Sequence, residues 1–201
     1  MLLVALTGNY GMGKSTVLSI FRDLGASTVD TDRVVESLLT EKKVLMRIKK
    51  LLGDDVFYKD GGLNKKKVAE IVFKDNNLRK SLEDILHPLV FKRIKDFTEK
   101  IAKVEKILVV AVPLVYERGY EDRFDKIVVV YTDLEVAINR LKNSGIAKKD
   151  ALLRLKAQLP IEEKIKRADF LIDNNGSIEE TIKQVKKVYK KLTKEAVKGW
   201  I

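Results

Sequence analysis

The 201-residue chain contains no cysteine. That excludes a disulfide framework, a thiolate metal site and a cysteine nucleophile, and it fits a reducing compartment. No basic stretch precedes the apolar run at the N-terminus, and the run breaks at Thr7-Gly8, so no signal peptide is expected. Long apolar runs are also missing. The longest, ILVVAVPLVY at 107–116, is about half of the ~20 residues that a membrane-spanning helix needs. Proline is scarce, with 3 residues, and neither an internal repeat nor a low-complexity linker interrupts the chain. We therefore expect a soluble, cytoplasmic protein without a membrane partner.

What the chain does have is 45% apolar residues, enough to bury one full core, together with 34% charged residues and a net charge of +11. The positive excess biases the protein toward anionic partners. Its lysines are spread along the chain rather than massed in a tail, however, and a solvated surface accounts for most of them. Short β-rich runs alternate with stretches of helical periodicity, the signature of a parallel sheet wrapped by helices. We place strands at 2–6, 27–30, 106–113, 126–131 and 169–174. The connection over 32–105 is too long to lack structure of its own. It reads as an all-helical insert whose last helix is interrupted at His87-Pro88. A second helical excursion, 134–167, lies before the fifth strand, and the core comprises 1–31, 106–133 and 168–201. Ser177 and Glu180 form a capping box for the final helix, and Ile178, Ile182, Val185 and Leu192 mark its core-facing stripe. The whole is expected to be a single α/β domain, a monomer or weak homo-oligomer.

Between the first strand and its helix stands GNYGMGKS, residues 8–15, which fits G-x-x-x-x-G-K-[ST]. Glycines at 8, 11 and 13 let successive N–H groups converge on an anion. Lys14 can then reach terminal phosphates and Ser15 can ligate Mg²⁺, while the helix start adds its positive end. The strand before and the helix after are the context this motif requires, so the loop is expected to hold a nucleoside triphosphate. A GTPase switch is disfavoured, because no D-x-x-G follows the third strand and no N-K-x-D the fourth.

Two carboxylates, Asp30 and Asp32, close the second strand, where open parallel sheets place their ligands. Asp32 suits the general base that takes a proton from an attacking hydroxyl, although an aspartate there can also serve as a helix N-cap. Asp30 suits support of Mg²⁺ through a water, or a structural role. Developing charge on a transferred phosphoryl group needs cations, and Arg140 and Arg154, in the excursion over 134–167, can supply them from a lid.

LTGNYGMGKST at 6–16, DLGASTVDTD at 23–32, HPLV at 87–90, VVAVPLVYE at 109–117 and RLKAQLPIEEKIKRADFLIDNNGS at 154–177 together resemble the dephospho-coenzyme A kinase family. The resemblance implies a P-loop NTPase fold with a five-stranded parallel sheet, a helical acceptor-binding insert and a helical lid. It implies ATP and Mg²⁺ as cofactors and phosphorylation of the ribose 3′-hydroxyl of dephospho-coenzyme A. By resemblance Gly11, Met12, Gly13, Lys14, Ser15, Thr16, Arg140 and Asn175 bind ATP, Asp32 is the base, and Leu63, His87, Pro113, Leu114 and Glu117 contact the acceptor. Two departures stand out. Where such kinases carry a further lid arginine this chain has Asn143 and Ser144, with Lys142 or Lys148 as substitutes, and an Asp-Arg pair in the insert becomes Asn64-Lys65. Another kinase of the same fold, or a nucleotide-binding module coupled to nucleic acid, remains the alternative. The lack of aromatic residues interleaved with basic ones argues against nucleic acid.

Overall fold

The structure, a computed structural model, describes residues 1–198. Strands β1 (Leu2–Thr7), β2 (Ser27–Asp30), β3 (Ile107–Ala111), β4 (Lys126–Tyr131) and β5 (Phe170–Asp173) form one sheet in the order β2-β3-β1-β4-β5, and every pairing is parallel. All five residues of β3 are buried. Apolar side chains occur without alternation there because helices cover both faces of such a sheet. β3 stops short of the expected 113 because of Pro113. The Val112 N–H still bonds the Leu6 carbonyl at 2.9 Å, but proline has no N–H with which to extend the ladder.

Helix α1 (Lys14–Asp23) and helix α9 (Ile178–Lys198) pack on the sheet and on each other. Val17, Ile20 and Phe21 of α1 join Val185, Val188, Leu192 and Ala196 of α9 in one core with Val4, Leu6, Val109 and Val128. Phe21 meets Tyr189 edge-on, with ring centroids 6.4 Å apart, a favoured aromatic geometry. The capping box at the start of α9 forms as the sequence predicts: Ser177 N donates to Glu180 Oε2 at 2.8 Å and Glu180 N to Ser177 Oγ at 3.2 Å. Ile178 departs from the expected stripe and is 47% exposed, while Thr181 takes the buried position one turn on.

The described chain separates into two compact units, Met1–Asp30 with the chain from Ile101 on, and Thr31–Lys100. The second unit holds α2 (Thr31–Leu38), α3 (Lys42–Leu52), α4 (Lys65–Lys74) and most of α5 (Asn76–Ile101), packed on Leu38, Ile48, Val56, Val90 and Ile94. The expected break at His87-Pro88 is absent, since α5 runs through Pro88 without interruption. Pro88 and Asp84, whose carbonyl loses its i+4 donor, are both exposed, so water can satisfy the freed oxygen. In the sheet unit, α6 (Leu134–Asn143), α7 (Lys148–Lys156) and α8 (Ile161–Lys166) lie between β4 and β5. Among the described residues no helix is long and apolar enough to cross a membrane.

Candidate active site

Register fixes where the strand ends meet. Asp30 pairs with Ala111, Ala111 with Leu6 and Leu6 with Val128, so these four stand in one row across the sheet. At about 4.8 Å per strand, the end of β2 lies about 10 Å to one side of Leu6. Two residues beyond Leu6 the phosphate loop begins. Gly8 has φ +151°, and a Cβ there would stand 2.2 Å from the Val130 carbonyl oxygen, which the sheet holds in place. Gly13 has φ +89°, and its Cβ would fall 2.1 Å from Asn174 Nδ2. Both positions therefore require glycine, and the loop's backbone is free to face a ligand.

Asn174 follows β5 and organises the far end of the loop. Its Nδ2 donates to the Met12 carbonyl at 3.0 Å, and its Oδ1 accepts from Thr181 Oγ1 at 2.9 Å. Arg140 Nη2 donates to the Asn174 carbonyl at 2.9 Å. The other terminal nitrogen, Arg140 Nη1, is buried with no hydrogen-bond partner among the described residues, 3.8 Å from where a Gly13 Cβ would be. An orphaned guanidinium nitrogen beside a glycine cradle suits an anionic or hydrogen-bonding ligand. Met12 is buried, Gly11 and Gly13 are half-buried, and Ser15 and Thr16 stand exposed at the start of α1. Lys14 Nζ donates to the carbonyls of Gly8 at 2.9 Å and Asn9 at 3.2 Å. Asn175 is committed to the sheet edge, where its Oδ1 accepts from Thr132 Oγ1 and Asp133 N, each at 2.7 Å. Among the described residues no group of three or more His, Asp or Glu gathers to hold a metal. A Ser15 hydroxyl with a carboxylate at the end of β2 is the sparse donor set that Mg²⁺ uses when phosphates and water supply the rest.

Residues 154–164 strap the loop from the other side. Tyr10 N donates to Gln158 Oε1 at 2.8 Å, Asn9 Nδ2 to the Leu159 carbonyl at 3.0 Å, and Arg154 Nη1 to the Tyr10 hydroxyl at 3.0 Å. Leu159 N donates to Glu117 Oε1 at 3.0 Å. The same carboxylate pairs with Lys164 Nζ at 2.8 Å, and Lys164 Nζ also donates to the Pro113 carbonyl at 3.1 Å. Lys164 is fully buried, and that burial pushes its pKa down while Glu117 works against the shift. Thus Pro113 and Glu117 meet the strap, Gly13 meets Arg140, and Tyr10 meets Arg154. Leu114 is half-buried between Pro113 and Val115. Asn143 and Ser144 are both exposed, and Ser144 Oγ turns back to the Arg140 carbonyl at 3.0 Å.

The helical unit carries the remaining candidates. Asp32 is exposed and is the second residue of α2 rather than its N-cap, as the helix already begins at Thr31. A carboxylate in the first turn still complements the helix dipole. Leu63 forms an isolated antiparallel bridge with Phe57, and Asn64 caps α4 by accepting from Lys67 N at 3.0 Å, the same service an aspartate would give. His87 is half-buried in α5, and burial lowers its pKa against the raising effect of Asp84.

Sequence reasoning missed Asn9, Tyr10, Gln158, Lys164 and Asn174. Lys164 was hidden because IEEKIK at 161–166 reads as a solvated helix face with Glu–Lys pairing. Asn174 had a usable signal, an amide at the exit of a strand beside the phosphate loop.

A family model described as "Dephospho-CoA kinase" matches residues 2–180. A relative named dephospho-CoA kinase from Aquifex aeolicus (strain VF5) is 41% identical over 193 residues, covering 96% of this chain and 98% of its own. Among solved structures, the Thermus thermophilus protein TT1252 superposes with a TM-score of 0.81 at 31% identity, over 93% of this chain and 95% of that one. The dephospho-CoA kinase from Campylobacter jejuni gives a TM-score of 0.69 at 28% identity, over 96% and 98%.

Proposed function

This chain belongs to the dephospho-CoA kinase family and is a nucleotide-using kinase; on that premise we propose how its residues transfer the terminal phosphoryl group of ATP to the ribose 3′-hydroxyl of dephospho-coenzyme A. The reading is carried by the convergence of Gly13, Asn174 and the unpartnered Arg140 Nη1 at the end of the phosphate loop. ATP phosphates would lie against the N–H groups of residues 11–16. Lys14 would exchange the Gly8 and Asn9 carbonyls for terminal phosphate oxygens, and Arg140 and Asn175 would border the nucleotide. Ser15, and Asp30 through a water, would hold Mg²⁺, which when bound would supply positive charge to offset that on the phosphate oxygens.

Asp32 takes the proton of the acceptor hydroxyl as that oxygen bonds to phosphorus and the bond to the departing ADP oxygen breaks. Chain geometry supports the choice, because Asp32 lies two residues past Asp30 and so within about 7 Å of the strand end. Arg140 and Arg154 offset the charge that builds on the phosphoryl oxygens. Leu63, His87, Pro113, Leu114 and Glu117 recognise the acceptor. Glu117 Oε2, buried without a hydrogen-bond partner, is suited to accept a donor from it. We place the reaction in the cytoplasm, carried by a monomer or weak homo-oligomer with no nucleic-acid or membrane partner.

The test is to incubate the protein with Mg·ATP and dephospho-coenzyme A and identify the product by ³¹P NMR. A new 3′-phosphomonoester formed together with equimolar ADP is expected. ADP release without that product, or faster turnover of a nucleoside monophosphate, would overturn the acceptor assignment.

A further inference from the structure

Tyr10 occupies a position that the phosphate-loop pattern leaves open, yet it is fixed at both of its ends by one segment. Its backbone N–H donates to Gln158 Oε1 at 2.8 Å, its hydroxyl accepts from Arg154 Nη1 at 3.0 Å, and the Arg154 guanidinium carbon lies 4.9 Å from the centre of its ring. Arg154 lies in the last turn of α7 and Gln158 two residues past its end, so the helix C-terminus and the turn that follows it present the two partners. The neighbouring Asn9 repeats the attachment through the Leu159 carbonyl at 3.0 Å. Tyr10 and Arg154 are both half-buried, a depth at which a guanidinium on an aromatic face is held more firmly than one in open water.

A long side chain that serves as a lid cation must be immobilised where the charge develops, and arginine has about 2 kcal/mol of rotamer entropy to lose in the process. We propose that Tyr10 is a positioning residue for Arg154: its ring and hydroxyl dock the guanidinium on the phosphate loop, so that the lid cation and the anion-binding backbone stay in fixed register. The substrate group concerned is the terminal phosphate of the bound nucleoside triphosphate. The proposal rests on the reading of Arg154 as the lid cation.

The experiment is steady-state kinetics in ATP at saturating acceptor for Tyr10→Phe, Tyr10→Leu, Arg154→Ala and the double variant Tyr10→Leu/Arg154→Ala. Circular dichroism melting serves as the fold control. Arg154→Ala is expected to lower kcat on the order of 10²-fold, as loss of a charge-stabilising donor does. Tyr10→Leu, which removes ring and hydroxyl, should lower kcat on the order of 10-fold while KM for ATP changes less than about threefold, because the interaction acts on the transition state. Tyr10→Phe, which keeps the ring, should fall between Tyr10→Leu and the unmodified protein, and it remains informative where the leucine variant fails to fold. The double variant should be no slower than Arg154→Ala alone. Tyr10 variants with kcat within about twofold of the unmodified protein, or effects that multiply in the double variant, overturn the positioning role while leaving Arg154 as the lid cation. An Arg154→Ala variant with full kcat overturns both.

Discussion

Glu117→Gln isolates the buried ion pair that anchors the strap. Lys164 is fully buried and lies 2.8 Å from a carboxylate that is itself 14% exposed. The substitution preserves shape and keeps an oxygen for Leu159 N, but it leaves the ammonium facing only an amide and the Pro113 carbonyl. Removing one partner of such a pair costs about 3–5 kcal/mol. For a chain of this length that corresponds to a fall in melting temperature of about 6–20 °C. Burial already lowers the Lys164 pKa, and losing Glu117 lowers it further. Between the folded pKa and the unfolded value near 10.5 the unfolded state binds more protons, so stability rises with pH across that window. The loss in Glu117→Gln should therefore shrink between pH 7.5 and 9.5. The double variant Glu117→Leu/Lys164→Met, with no charge left to solvate, should be more stable than Glu117→Gln. Urea unfolding of the three proteins at both pH values measures all of this. A loss below about 1 kcal/mol for Glu117→Gln, or a double variant no more stable than Glu117→Gln, would refute the assigned burial and pairing.

Two further outcomes follow from local geometry. Gly13→Ala drives a Cβ to 2.1 Å from Asn174 Nδ2 at φ +89°, whereas Gly61, at φ +85°, has nothing within 4 Å of its Cβ position. Both alanines carry about 1–2 kcal/mol of left-handed strain, so only Gly13→Ala should weaken ATP binding by calorimetry, by about 10-fold or more, and equal affinities would contradict the close approach. His87, the single histidine, has its pKa lowered chiefly by burial. The folded state then binds fewer protons than the unfolded one as pH falls through about 6.5, and stability is lost on acidification. Its one imidazole NMR signal should titrate below 6.5, and His87→Gln should flatten the stability profile between pH 7.5 and 5.5. A titration above 6.5 would contradict the burial.

The parallel sheet and the phosphate loop were legible because their signals are local. Buried parallel strands read as unbroken apolar runs, and GNYGMGKS needs only a strand before it and a helix after it. The departures came from burial and from solvent, which one segment of sequence does not encode. Lys164 looks like Lys166, which does pair with Glu163 on the surface at 2.7 Å, but the first is fully buried and the second exposed. Pro88 was expected to divide a helix, yet on an exposed face the carbonyl it strands can bond water and the helix continues. Ile178 satisfied the helical period but lies in the first turn of α9, past the edge of the core. The amide that bridges to the loop belongs to Asn174, while the adjacent Asn175 ties β4 to β5. Two identical residues side by side offer no sequence signal that separates these roles.

Asp32 is proposed as the base that removes the acceptor proton. Single-turnover phosphoryl transfer by Asp32→Asn, with dissociation constants for ATP and dephospho-coenzyme A measured on the same protein, tests it most directly. A rate lowered about 10²–10⁴-fold is expected, with both dissociation constants within about threefold of the unmodified protein. A rate within tenfold of the original, or binding that collapses together with the rate, would contradict it.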